Sequence, residues 1–531
     1  MTKEAQGKDV CNEMGYMSNS NTTSAPRSLW HVVVLILLGC YFFLMTAQLV
    51  WLTPGGRTDD SEAMFLSQSF AWGYEGKNPP LFYWLTTLFN HLVGPLPAVV
   101  FGLRMFFLFL MLWGALRLAR LVQVHDRLAI LAGLMPLTFL HLHWYALHDL
   151  THTVISGAMF PWTLIALFGL EKRPTVGRYL MLGLFITAGL LSKYTYVLFV
   201  IASAISCWLI PRYRLTLYTR KSWPVLFFPL LLGTPHLLWM AEHLGGIQEQ
   251  MQISAGVSLD GGYWVGVAHG LGSLVVASFE VLFLPFGILV VTFLGKSILQ
   301  RHSVECEKHD RLMLIRYIIT AFFVLLLFYI LLGASRIKPH HLFIMVLVPI
   351  WLIGGMHDSA TNNLQLRISR FSWFVAGVPI VTLALFGAHA WREAQTVTCG
   401  RCSEYLPYRD YADAIHKLGF NGGTLVSLSP RKYMPGSLLR PYLSETRFVA
   451  PQYSLYQPPK GKPGDCIILY SSLDDAEIGQ MLREGRPVPG IGLPLPSYAR
   501  WERASGNFYM TTRAAPDAVL VLIPGGLGTC R

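Results

Sequence analysis

Leu29–Leu52 reads LWHVVVLILLGCYFFLMTAQLVWL, an apolar run that contains no Asp, Glu, Lys or Arg. It is longer than the roughly 20 residues a helix needs to cross a bilayer. Shortly after it comes Arg57–Ala63, RTDDSEA, which places the carboxylates of Asp59, Asp60 and Glu62 within four positions. Three acids beside a membrane are costly, so the stretch is either a hydrated loop tip or a place where chemistry is done.

Composition extends the reading of the first run to the whole chain. Of 531 residues, 53% are hydrophobic and only 14% charged, with 31 Phe and 15 Trp. A soluble chain carries about a quarter charged residues. Apolar runs recur at about 30–51, 97–117, 128–145, 153–170, 178–192, 194–210, 223–241, 266–294, 315–334, 341–356 and 372–390, which predicts about eleven transmembrane helices. In GLLSKYTYVLF the turn between two runs is almost absent, so Lys193 and Tyr194 mark a tight hairpin. Residues 1–29 are polar and of mixed charge, and no small-residue cleavage pattern follows the first run. They read as a disordered cytoplasmic tail rather than a signal peptide.

The Lys/Arg bias sets the orientation. With the N-terminus inside, the tail and inner loops hold 20 Lys and Arg, whereas the outer loops hold Arg57, Lys77, Lys193, Arg336 and Lys338. This asymmetry accounts for much of the net charge of +12 and leaves no need for a nucleic-acid partner. An odd number of spans puts residues 391–531 in the periplasm, beyond a transmembrane domain of residues 30–390. There the strand-like runs GTLVSL, RFVAP, CIILYSS and AVLVLIP alternate with the helical patterns YRDYADAIHKLGF and SLDDAEIGQMLREG, the pattern of a small α/β domain. That segment contains Cys399, Cys402, Cys466 and Cys530. In an oxidising compartment they suit two disulfides, with the pairing open. Redox catalysis by CGRC and zinc binding by the four Cys are minor alternatives.

The polar residues gather on the outer face. The first periplasmic loop, about 52–96, is too long for a simple connection. Met64, Phe65, Phe70, Ala71 and Trp72 predict an amphipathic helix at the interface after the acids. Pro80 then opens a second helix, with Tyr83 and Trp84 as interfacial anchors. The next outer loop, HLHWYALHDLTHTV, concentrates His141, His143, His148, Asp149 and His152. Carboxylates and imidazoles from the two loops, with Asp60, Glu62, His148 and His152 as the working set, could hold a divalent metal (Zn, Mn or Mg). The bland reading is that each His is merely satisfied at the interface. Arg104 near the outer end of the second span, Lys193, and Arg336, Lys338, His340 and His341 of SRIKPHHLF supply cations for a phosphate at membrane depth. Snorkelling to lipid headgroups is the alternative for each. Acids and cations together fit a transfer in which a carboxylate activates an acceptor hydroxyl and cations hold a leaving lipid phosphate. A transporter, flippase or lipid-binding protein is the rival class. A transporter, however, concentrates its charges near the bilayer midplane, where this chain has almost none.

The acidic pair, the segment WGYEGKNPPLFYWL, the His-Asp loop, LLSKYT and RIKPHH resemble the GT-C superfamily. More narrowly, they resemble its ArnT-like, protein-mannosyltransferase-related glycosyltransferases, over roughly residues 30–390. The resemblance implies transfer of a sugar from a polyprenyl-phosphate donor, with inversion, at the outer face of the cell inner membrane. The acceptor it implies is lipid A or lipopolysaccharide, another glycan, or a protein. By position, Asp59 with Asp60 matches the family's first-loop acids, with Asp60 and Glu62 as the alternative register. Asp149 matches the second-loop acid. Lys193 and Arg336–His341 fall where the family handles the lipid phosphate. Asp60 stands where Glu is usual, and KPHH replaces a plainer Arg-aromatic pair.

Overall fold

The computed structural model describes residues 27–122, 126–255, 262–293, 308–335, 338, 342–353, 362–396, 402–429, 435–460, 464–527 and 530. Arg336, His340, His341, Cys399 and most of the N-terminal tail lie outside the described residues. The first helices in chain order are α1 (Arg27–Leu52), α2 (Thr58–Leu66), α3 (Leu81–Val93), α4 (Pro97–Val122), α5 (Asp126–Leu134), α6 (Leu140–His148), α7 (Thr151–Lys172), α8 (Val176–Leu190) and α9 (Tyr196–Leu209).

Among the described residues, seven helices are long and apolar enough to cross a membrane. They include α1, α4 and α7, and the last of them is Ser372–Thr396. The other apolar runs of the sequence form shorter or bent elements. Leu128–Thr138, α8 and Ile344–Ile353 are apolar helices of 10–17 residues, and α9 meets Pro211–Leu217 at 115°. The bend falls where Pro211 starts a new helix, because a proline lacks the N–H that would continue the old one. Lys193 lies in the tight turn between α8 and α9, with its N–H donating to the Gly189 carbonyl. The helices α4 and α7 are the most enclosed, with 72% and 78% of their apolar windows buried inside the protein, so they form the centre of the bundle.

The C-terminal domain carries a five-stranded sheet in the order β2-β1-β3-β5-β4. Its strands are β1 (Gly423–Ser427), β2 (Thr446–Val449), β3 (Asp465–Ser471), β4 (Arg500–Ala504) and β5 (Ala518–Ile523). β1 runs parallel to β2 and β3, while β5 is antiparallel to both β3 and β4. The four apolar runs of the sequence are β1, β2, β3 and β5. The fifth strand, RWERA, is a polar edge strand whose side chains are mostly exposed, so it lacks the alternation that marks a half-buried strand. Tyr408–Lys417 turns Tyr408, Tyr411, Ala412 and Ile415 inward at helical spacing. The second helical pattern is broken into short turns over Ser472–Arg483.

Cys466 on β3 is disulfide-bonded to Cys530, with Cα atoms 5.6 Å apart. Cys402 is also disulfide-bonded. The Cys466–Cys530 bridge closes 64 residues, a loop whose constraint in the unfolded chain corresponds to about 4 kcal/mol. Cys466→Ser is therefore expected to lower the unfolding midpoint of the sheet domain, read by thermal denaturation with and without reductant. Reductant should shift the native protein in the same direction.

Candidate active site

The acidic stretch forms helix α2 and does not precede an interfacial one. Asp59 and Asp60 occupy its first turn, where the helix dipole favours negative charge. The Arg57 N–H donates to Asp60 Oδ2 at 2.8 Å, fixing the entry into the helix. Asp60, Ser61, Glu62, Met64 and Phe65 are all buried, whereas Phe70 and Trp72 are exposed on the loop beyond. The interfacial amphipathic helix of the sequence reading is thus replaced by a buried polar one, because the C-terminal domain covers the surface that would otherwise face lipid or water.

The helix sends its three carboxylates to different surroundings. Asp60 Oδ1 accepts from Arg104 Nη1 at 2.6 Å, and both side chains are almost fully buried. The other guanidinium contacts go to the carbonyls of Leu147 at 2.9 Å and His148 at 3.3 Å. Burial raises the Asp60 pKa above its ordinary value, and Arg104 opposes that rise. Arg104 was expected to hold a donor phosphate; in the structure its guanidinium is engaged by Asp60 and two carbonyls. Glu62 accepts from the Tyr83 hydroxyl at 2.7 Å, and that hydroxyl lies 3.4 Å from Glu75 Oε1. Tyr83 is accordingly a buried partner of the acidic cluster and not an interfacial anchor. Trp84 is half-buried and donates to the Ala71 carbonyl at 2.7 Å.

Asp59 is the accessible member, with 22% of its side chain exposed. Its Oδ2 accepts from the Leu150 N–H at 3.1 Å, and its own N–H points at Asp149 Oδ1 at 3.3 Å. Asp149 ends α6, and Leu150 between α6 and α7 adopts φ 75°, a left-handed conformation rare for a residue with a Cβ. That break aims the Leu150 N–H at the Asp59 carboxylate. It also means that His148 and His152 lie on separate helices and do not share one face. Burial, then the charges of Asp59 and Asp60, push the Asp149 carboxyl well above the usual carboxylate range.

Three lysines are distributed around this pair. Lys77 Nζ lies 3.8 Å from Asp59 Oδ1 and 3.6 Å from Glu62 Oε2. Lys193 Nζ donates to Thr153 Oγ1 at 2.6 Å. Burial lowers Lys193 to about 7, with Asp59 opposing the shift and Lys338 and Lys77 reinforcing it. Lys338, from the basic segment, is exposed and acts on Lys193 through its charge.

Of the other residues singled out as metal ligands, His148 donates through Nδ1 to the Trp144 carbonyl, 2.9 Å away, and is held neutral by burial and by Arg57. The His152 ring packs on Tyr83 at 4.6 Å between centroids, and among the described residues neither of its nitrogens has a hydrogen-bond partner. Among the described residues there is no group of three or more His, Cys, Asp or Glu placed to hold a metal ion. His143 bonds to Tyr41 and to the Leu137 carbonyl, away from the carboxylates. The site residues that sequence reasoning missed are Tyr83, Glu75, Thr153 and Lys77 as a partner of the acids. Lys77 and Glu75 were at least visible within WGYEGKNPPL.

A family profile described as dolichyl-phosphate-mannose-protein mannosyltransferase matches residues 77–239. The lipopolysaccharide core galacturonosyltransferase RgtB of Rhizobium johnstonii is 29% identical over 365 residues, 67% of this chain and 72% of that protein. The lipopolysaccharide core galacturonosyltransferase RgtA of the same organism is 24% identical over 341 residues, 63% of this chain and 66% of that protein. Among solved structures, ArnT from Cupriavidus metallidurans bound to undecaprenyl phosphate is similar over 94% of this chain and 98% of its own, with a TM-score of 0.58 and 12% identity. Its apo form gives a TM-score of 0.55 at 13% identity, over 93% of this chain and 98% of that one. The chain is a multi-pass membrane glycosyltransferase, similar in sequence to lipopolysaccharide core galacturonosyltransferases and, over residues 77–239, to the protein mannosyltransferase profile, with the fold of ArnT.

Two predictions follow from the electrostatics. Arg104→Met leaves the Asp60 carboxylate buried without its counter-charge and is expected to cost about 3–5 kcal/mol, with partial recovery in Arg104→Met/Asp60→Asn, measured by thermal unfolding in detergent. Asp149 has a folded pKa above its unfolded one. Its contribution to stability is present below the unfolded value and is lost as pH rises towards the folded value. Asp149→Asn should therefore raise the unfolding midpoint relative to the native protein more at about pH 8 than at about pH 5.

Proposed function

We propose that this glycosyltransferase moves a sugar from a polyprenyl-phosphate carrier to lipopolysaccharide at the outer face of the cell inner membrane, with its C-terminal domain in the periplasm. The observation that carries the reading is the pairing of Asp59 with Asp149, beside Lys77 and Lys193. A carboxylate that is accessible and oriented can take a proton from an acceptor hydroxyl. Cations at membrane depth can stabilise the phosphate that departs with its lipid chain. The similarity to two lipopolysaccharide core galacturonosyltransferases supports a hexuronic acid as the sugar and the lipopolysaccharide core as the acceptor. The ligand of the structural neighbour supports a polyprenyl-phosphate carrier.

In this reading the acceptor oxygen forms a bond to the anomeric carbon as the bond from that carbon to the phosphate oxygen breaks. The hydroxyl proton passes to Asp59, and the electron pair of the broken bond leaves with the polyprenyl phosphate. Attack opposite the leaving group inverts the anomeric centre. Asp149 accepts from the Asp59 N–H, and burial with the neighbouring acids favours the protonated form of its carboxyl. Lys193, at about 7, gains a proton when the phosphate approaches, because a neighbouring anion favours the charged amine. Asp60 orients the helix through Arg104, and Glu62 is held by Tyr83.

The test is transfer from defined polyprenyl-phosphate sugars, including a uronic acid, to lipopolysaccharide core by the purified protein, followed by mass spectrometry. Asp59→Asn is expected to lower the rate about 10²–10⁴-fold. The absence of transfer from every lipid-linked donor would overturn the reading. Undiminished transfer by Asp59→Asn would remove Asp59 from the role of base.

A further inference from the structure

Helix α2 has nine residues, too few to hold a helix in isolation. Its two ends and its middle are all gripped by the C-terminal domain. At the entry, the Arg57 guanidinium is ion-paired to Glu404 and lies 3.6 Å from Glu393, at the end of the last long helix. The Gly55 N–H donates to the Glu404 carbonyl at 3.1 Å, and Ser403 Oγ donates to the Gly56 carbonyl at 3.2 Å. The two backbones are so close that a Cβ on Gly55 would collide with the Ser403 carbonyl and lie 2.8 Å from the Tyr408 ring. In the middle, Ser437 Oγ donates to the Ser61 carbonyl at 2.7 Å, and Phe65 stacks on Tyr453 at 4.6 Å.

At the exit, Arg440 donates to the Met64 carbonyl and, at 3.1 Å, to Ser67 Oγ. The last carbonyls of a helix have no partner within it and carry the negative end of the dipole, so a cation there is doubly suited. Gln68 completes the exit with a two-way bond to Phe448 on β2, at 3.0 and 2.9 Å.

We infer that Glu404 and Arg440 are positioning residues: the C-terminal domain is the clamp that seats α2 and holds Asp59 against Asp149, so turnover requires the domain to be docked. Neither residue touches the reacting groups. Glu404 acts through Arg57, whose N–H is bonded to Asp60, and Arg440 acts through the helix C-terminus. The inference rests on the assignment of Asp59 as base, and its test has one readout that does not.

Full-length protein in detergent is compared with Glu404→Gln, Arg440→Gln, Gly55→Ala and Arg57→Gln/Glu404→Gln. Amide hydrogen exchange of residues 55–68 is followed by mass spectrometry, alongside transfer from a polyprenyl-phosphate sugar. Faster exchange in that segment, unchanged exchange in α4, and a fall in kcat of about 10²-fold with KM little altered are expected. The double variant should be no worse than Glu404→Gln alone, and Glu404→Asp should recover part of the rate. Exchange and kcat unchanged in all variants would overturn the inference, as would additive losses in the double variant. If a variant fails to fold, Arg440→Lys, which keeps the cation, carries the same comparison. A native protein without transferase activity would overturn the proposed function, while the exchange data would still decide the clamp.

Discussion

The ion pair between Arg104 and Asp60 organises the rest of the site. A guanidinium with no exposed surface sits inside the central helix α4, where removing it from water costs several kcal/mol unless it is compensated. Asp60 supplies the charge, and the carbonyls of Leu147 and His148 take up further N–H groups. One side chain therefore joins three parts of the chain: the second long apolar helix, the acidic helix α2, and the last turn of α6 before the break at Leu150. Because the carbonyls come from the residues immediately before Asp149, the same contact that seats α2 also places the second-loop acid beside the first.

This arrangement sorts chemically similar groups into different roles. Asp60 is committed to a counter-charge, and Glu62 to a buried tyrosine hydroxyl, whereas Asp59 accepts from the Leu150 N–H and keeps part of its surface open. The lysines are sorted in the same way. Lys77 is already beside two carboxylates, while burial and other lysines leave Lys193 at about 7. A neighbouring anion favours the charged form of a lysine shifted in this way.

The parts of the fold that the sequence disclosed are those set by local apolar content. The long helices and four of the five strands coincide with apolar runs, since burial in a bilayer or a sheet core demands such runs whatever else surrounds them. The acids of RTDDSEA were also legible as a candidate site, because polar clusters beside a membrane are expensive. What could not be read was how they are shielded. The groups that cover α2 come from Glu404, Ser437, Arg440 and Tyr453; Ser437 and its partner Ser61 are 376 positions apart. Without that cover, Met64 and Phe65 look like the apolar face of an interfacial helix, and Tyr83 looks like a headgroup anchor. RWERA failed as a strand for the related reason that an edge strand can be polar. The break at Leu150 had no sequence signal at all, since nothing marks a leucine for a left-handed backbone.

Access, rather than charge, separates the three carboxylates of the opening stretch. All three could serve as a base by chemistry alone, and in an unshielded loop they would be nearly equivalent. Once α2 is walled by α4 on one side and by the C-terminal domain on the other, a substrate can approach only where the wall is incomplete. That gap is where the Asp59 side chain is 22% exposed and Lys77 37% exposed, with Glu62 at 1%. Asp59 stands at that gap beside the exposed end of Lys77, and is the one of the three carboxylates that the gap leaves open. The buried neighbours give that point its rigidity, which a loop tip in water would lack.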